Sequence, residues 1–166
     1  SRGVPTLYAG DEQGFIGTGN DQLARQPLFA SQVPEYRAMQ RLGTSAGHDV
    51  ASYDPNHPFY RNFKAMAAVR AADPRLRHGR TIVRAAGDAP GLFAFSRRLP
   101  GQPGETLVVM NTANTPLVAN VMVDPANRAW TSRLGTCPAT AAAPGTLAIS
   151  LPPLGVAVCS SEPSAP

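Results

Sequence analysis

A chain of 166 residues with 43% hydrophobic and 16% charged residues can bury an apolar core and carries too little charge to be disordered. Its length excludes a complete eightfold β/α barrel, which needs about 200 residues or more, and its apolar runs fall short of the ~18 residues of a membrane span. The formal net charge of +4 is almost wholly arginine, with Lys64 the only lysine, and 15 glycines with 17 prolines predict a fold rich in turns.

In chain order, the first ten residues (SRGVPTLYAG) lack an apolar run ahead of a small-residue cleavage site, so they do not read as a signal peptide. Gly3 to Tyr8 is instead apolar and β-prone up to a glycine, the pattern of a short strand buried on both sides. No sustained period follows from Ala9 to Asn56, apart from a short helix expected over 34–41 (PEYRAMQR) with Ser31 as its cap. A loop of that length in a compact domain is functional when it occurs. The clearest helix runs from Pro58 to Ala72, where Phe59, Phe63, Met66 and Val69 keep helical spacing and Pro74 ends it. From Arg80 the texture changes to seven short β-like runs: RTIVRAA, GLFAFSRR, ETLVVMN, LVANVMVD, RAWTSRL, TLAISL and LGVAVCS. Turn residues separate them, as in an antiparallel sandwich. Alternation puts Phe93 and Phe95 on one face, expected to be the core face. The polar tail SEPSAP should fray.

Few motifs carry chemistry. GTSAG (Gly43 to Gly47) matches G-x-S-x-G, but that elbow needs a strand before the serine and a helix after it; here a helical segment precedes and a loop follows. GFIGTG has its glycines in the wrong order for a nucleotide loop. His48, His57 and His78 share no ligand spacing, and no metal site is expected. Arg61 to Arg84 holds seven basic residues against one acid, Asp73. It brings no aromatic stacking pattern and reads as the polar face of a helix, not as a nucleic-acid surface. Cys137 and Cys159 fit no zinc spacing. Either they form a disulfide tying a loop to the last strand, which implies an oxidising compartment, or they are two buried thiols. Asp11 and Glu12 follow directly on the first strand, where active sites form in parallel barrels. With Gln13, Asn20, Asp21 and Arg25 they either hydrogen-bond a polyhydroxylated ligand or serve as caps and ion-pair partners.

GVPTLYAGDEQGF (Gly3 to Phe15) resembles the eighth-strand signature of the alpha-amylase family of retaining glycoside hydrolases, Gly-x-Pro-x-x-Tyr-x-Gly-x-Glu. GNDQLARQPLF (Gly19 to Phe29) is similar to the loop many members carry after that strand, and HPFYRNFKAMAAVRAADPRLRHG (His57 to Gly79) to the eighth barrel helix and its exit. The seven β runs match the family's C-terminal domain, with GLFAFSR opening it and LPPLGVAV closing it. The resemblance implies an α/β plus all-β organisation: the last strand and helix of a (β/α)8 TIM barrel over residues 1–79, a C-terminal antiparallel β-sandwich over 80–160, and a disordered tail over 161–166.

It also implies a glycoside hydrolase cleaving α-glucosidic bonds in starch-like or malto-oligosaccharide substrates. A transglycosylase of the same family, or a non-catalytic carbohydrate-binding or scaffold module, are the alternatives. The family's three catalytic acids come from strands four, five and seven, so no catalytic residue is assigned in a segment that begins at strand eight. Gln13, Asn20, Asp21 and Arg25 are expected near bound sugar, and Asp11 and Glu12 as orienting groups. The expected partners are the upstream part of the same barrel and an α-glucan or oligosaccharide, with neither nucleic acid nor membrane. The segment itself is expected to need no cofactor. Calcium is common in the family, but its usual ligands lie in the missing part, and Asp21 and Asp49 are too few for its six to eight oxygens. The location expected is extracellular or periplasmic, as a secreted protein.

Overall fold

A computed structural model of the chain describes residues 4–17 and 19–162, for Glu162 the backbone alone. The chain divides into two compact units, Ser1–Ala67 and Ala68–Pro166.

The first unit has little regular structure. A short 3-10 turn, Asp11–Gln13, is followed by α1 (Pro34–Arg37) and by the start of α2 (Pro58–Ala72). No strand forms over residues 4–8, and all five are exposed; Gly3 lies outside the described residues. A parallel strand exists only through hydrogen bonds to neighbours, and residues 4–8 pair with none among the described residues. The short helix stops at Arg37, well before residue 41, and its cap is Val33. Ser31 Oγ accepts from Val33 N at 3.1 Å, so the serine closes a local turn ahead of the helix. By contrast α2 has the bounds expected from its periodicity. His57 stands at its start, with Nδ1 accepting from Phe59 N at 3.2 Å and Nε2 donating to Leu42 O at 2.9 Å. These two bonds hold the imidazole ring between the start of α2 and the Leu42 carbonyl. None of the α2 side chains is buried, so its apolar stripe is only half-covered.

The second unit is the sandwich. Asp73 caps α3 (Pro74–His78) by accepting from Arg75 N. Seven strands follow: β1 (Arg80–Ala85), β2 (Leu92–Arg98), β3 (Glu105–Asn111), β4 (Leu117–Met122), β5 (Ala129–Leu134), β6 (Thr146–Leu151) and β7 (Val156–Glu162). They correspond one to one with the seven runs read from sequence. One sheet has the order β1-β2-β3-β7-β5 and the other pairs β4 with β6; every pairing is antiparallel. Because side chains alternate, Leu107 and Val109 of β3 meet Leu147, Ile149 and Leu151 of β6 and Val121 of β4 in one core. Burying each such side chain contributes roughly 1.5–3 kcal/mol. The other face of the larger sheet is covered too: Phe95, Val108 and Val158 pack with Val69 of α2 and Leu76 of α3. Phe93 and Phe95 do share a face, but it is this outer one; Ala94 points into the inter-sheet core. β3 is therefore buried on both sides.

Cys137 and Cys159 form a disulfide that joins the loop after β5 to β7. The last strand runs through Glu162, so residues 161 and 162 belong to the sheet and not to a frayed tail; residues 163–166 lie outside the described residues.

Candidate functional site

The turn after residue 8 is built by glycine. Gly10 and Gly14 have φ of 104° and 72°, the left-handed region, on either side of the 3-10 turn. Gly10 O accepts from Gln13 N at 2.9 Å and from Phe15 N at 3.0 Å. At Gly14 a Cβ would lie 2.1 Å from the Leu42 carbonyl oxygen, so the position tolerates nothing larger. Both neighbouring carboxylates are turned onto this backbone. Asp11 Oδ2 accepts from Tyr8 N, and Glu12 Oε2 from Gly10 N, each at 3.0 Å. They orient the turn. They do not form an acid–base pair across a gap, which a retaining glycosidase needs at about 5–5.5 Å.

Gln13 is placed differently from the sequence expectation. Its side chain is buried and spans the backbone of Asp54: Nε2 donates to Asp54 O at 3.0 Å, and Oε1 accepts from Asp54 N at 3.1 Å. An amide that satisfies one backbone N–H and one C=O has little left for a sugar. Gln13 is therefore a clamp between two loops and not a ligand-facing group. Arg41 completes the clamp, donating from Nε to Gln13 O at 3.2 Å, with its guanidinium 5.7 Å from the centre of the Phe15 ring. Burial lowers the Arg41 pKa, against the opposing pull of Asp54. His48 packs edge-on against Phe15 at 4.5 Å. Burial first, and then the Arg41 charge, hold its pKa below the ordinary imidazole value.

Asn20, Asp21 and Arg25 are exposed. Asn20 Oδ1 accepts from Gln22 N and Leu23 N, both at 3.1 Å, and shapes the loop. Asp21 and Arg25 pair at 2.7 Å, four residues apart, with more than half of each side chain in solvent. These three lie at the surface, whereas Gln13 is buried. The GTSAG segment is a turn and bend with no flanking strand–helix pair, so it is not a nucleophile elbow. Among the described residues, no group of three or more His, Cys, Asp or Glu side chains is placed to hold a metal ion, and no helix is long and apolar enough to cross a membrane.

Sequence reading missed the buried frame of Arg41, His48 and His57, and the clamp of the Gln13 amide on the Asp54 backbone. Arg41 lay in a segment with surface-helix composition, and nothing local marks an arginine whose partner is 28 residues away. A cavity of about 510 Å³ lies in the sandwich unit, lined among others by Ala68, Val69, Leu99, Gln102 and Arg133. Its Asp73 and Arg75 pair with each other at 3.1 Å, so it presents no acid–base constellation.

No protein-family model matches the chain. An alpha-amylase of Streptomyces lividans is 45% identical over 115 residues, covering 69% of this chain and 12% of that protein. The chain thus spans only a small part of this curated relative. Among solved structures, an alpha-amylase from H. orenii aligns with a TM-score of 0.60 at 16% identity, over 94% of this chain and 32% of that one. An Anoxybacillus alpha-amylase gives 0.57 at 14%, over 76% and 27%, and a Nostoc punctiforme debranching enzyme 0.51 at 24%, over 69% and 25%. These structural likenesses establish the fold alone.

Proposed function

The chain belongs to the alpha-amylase family, and we propose that it is the C-terminal part of a secreted glycoside hydrolase that cleaves α-glucosidic bonds in starch-like substrates or malto-oligosaccharides with retention of configuration. The observation that carries this reading is the 45% identity over 115 residues to an alpha-amylase. The distribution of apolar surface supports it. Among the described residues the buried hydrophobic side chains all lie between Ala94 and Cys159, whereas Val4, Leu7, Tyr8 and Ile16 of the first unit are exposed. An apolar stretch such as residues 4–8 becomes a barrel strand when neighbouring strands pair with it, and those neighbours also bring the catalytic acids.

In this reading the chain positions and recognises; the bond-breaking acids lie elsewhere in the polypeptide. The Gln13–Asp54–Arg41 clamp fixes the turn that carries Asp11 and Glu12. Asn20, Asp21 and Arg25 form a rim whose donors and acceptors meet sugar hydroxyls, with the Arg25 fork suited to two at once. The disulfide supports a location outside the reducing cytosol. Any calcium the full enzyme needs is held by residues outside this segment.

The test is hydrolysis of soluble starch by the full-length polypeptide, following the anomer released by NMR. Cleavage with the α-anomer appearing first is expected. Absence of cleavage, or the β-anomer first, overturns the reading. In the same enzyme Arg25→Ala should lower kcat/KM on malto-oligosaccharides about tenfold, as expected for losing one charged hydrogen-bonding group; an unchanged value removes Arg25 from the rim.

A further inference from the structure

Two glycines of the first unit make room for one ring. Gly14 and Gly43 have φ of 72° and 76°, the left-handed region. A Cβ at Gly14 would lie 3.1 Å from His57 Cε1, and one at Gly43 3.3 Å from the same atom. The GTSAG segment, which forms no nucleophile elbow, thus contributes its first glycine to the seat of an imidazole. His57 is already buried in this chain, so its setting does not wait on neighbours from elsewhere in the polypeptide.

The ring joins three pieces of chain. Nδ1 accepts from Phe59 N at 3.2 Å at the start of α2, and Nε2 donates to Leu42 O at 2.9 Å. Leu42 N in turn donates to Gly14 O at 2.8 Å. A hydrogen bond therefore links each step from His57 to Leu42 and from Leu42 to the turn that carries Asp11 and Glu12. The Gln13 amide on the Asp54 backbone reaches the same turn by a separate route.

We propose that His57 is a positioning residue for substrate binding. Through Leu42 it holds the turn over residues 10–15, and the segment with Asn20, Asp21 and Arg25 that follows, in the conformation that meets sugar. This deepens the preceding reading and rests on it. A segment held in place before substrate arrives has no ordering cost left to meet on binding. Once released it must be ordered by the substrate, and KM rises. The bond-breaking step, carried by acids outside this segment, keeps its rate, so kcat is unchanged. The competing role is that of a helix cap alone. The two nitrogens separate the roles, because Nδ1 serves the helix and Nε2 serves the turn.

The test uses the full-length polypeptide. Hydrolysis of malto-oligosaccharides and Tm are compared between wild type, His57→Asn and His57→Gln. Asparagine keeps an acceptor near the Nδ1 position and cannot reach Leu42 O. Glutamine keeps a donor near the Nε2 position and loses the cap. The expected result is a KM raised about fivefold to tenfold in His57→Asn with kcat kept within about twofold, and a wild-type KM in His57→Gln even where its Tm is the lower of the two. The opposite order, with KM kept by His57→Asn and raised by His57→Gln, makes His57 a helix cap and overturns the proposal. KM unchanged in both variants, or raised equally in both, overturns it too and leaves the enzyme reading standing. Should neither variant fold, Gly43→Ala presses on the ring while leaving both nitrogens in place: a raised KM at constant kcat supports the positioning role, and an unchanged KM overturns it. A wild type that cleaves no α-glucan removes the enzyme reading and this assignment with it.

Discussion

Glu105 has no exposed surface, yet its environment is built for the charged form. Arg84 Nη2 donates to it at 2.6 Å, Asp124 N at 2.7 Å and Asn127 Nδ2 at 3.0 Å. Burial pushes its pKa up, but the hydrogen bonds from Ser96, Asp124 and Arg84 and the Arg84 charge outweigh burial and hold it below the ordinary carboxylate range. A register shift between Val83 and Ala85 turns Arg84 toward this acid. Replacing Glu105 by alanine strands a buried guanidinium and should cost about 3–5 kcal/mol in denaturant unfolding; a loss under 1 kcal/mol would show the network to be incidental. Gly14→Ala should also destabilise, by at least about 1 kcal/mol, since its φ is 72° and its Cβ would meet a backbone oxygen. The glycine was legible as punctuation in the sequence. The carbonyl of Leu42 that makes it irreplaceable was not, because that contact comes from a distant loop. Gln13 shows the same limit: a polar residue beside a site-like turn reads alike whether its amide faces ligand or spans a backbone.

At the scale of elements, the strands were legible and the loops were not. All seven strands came from β-branched and apolar runs between turn residues, and α2 from helical spacing. What alternation cannot tell is which of two buried faces a residue takes. Phe95 packs on the outer face against Val69 of α2 and Leu76 of α3, while Phe93 on the same side stays exposed. The helix over 34–37 was overextended because Met39 to Leu42 has helical composition but Arg41 bridges to Phe15 instead. The disulfide adds a constraint of its own element. Closing a loop with a sequence separation of 22 residues stabilises by about 3 kcal/mol. Cys137→Ser/Cys159→Ser should lower the stability of the sandwich by that order, read from the urea midpoint. A midpoint unchanged by the double substitution would mean that the sheet alone fixes the loop.

For the whole molecule, the two units differ in what they bury. Among the described residues the sandwich unit buries mainly hydrocarbon, with Asp73, Arg75, Arg97 and Glu105 as charged exceptions. The first unit buries Gln13, Arg41, His48 and His57. Their titrations separate accordingly. At Asp73 burial raises the pKa, and bonds from Thr106 and Arg75 outweigh it and lower it. Carboxyls held below their unfolded values, about 4, stabilise fully above that pH and lose the contribution as pH falls through the lower folded values. An imidazole held below its unfolded value of about 6.5 instead weakens the fold as soon as pH falls below 6.5. Acid titration followed by hydrogen exchange should therefore show residues near His48 loosening as pH falls below about 6.5, and the sandwich only below about pH 4. Simultaneous loss of both near pH 4 would show that His48 is not held neutral.

The central claim is that these residues act as part of a larger hydrolase whose catalytic acids lie outside them. The most direct measurement is the intact mass of the natural polypeptide under denaturing conditions. The account predicts a mass several-fold above the 17.4 kDa of these 166 residues. A mass near 17.4 kDa would contradict it, because the apolar, exposed residues 4–8 would then have no neighbouring strands to pair with.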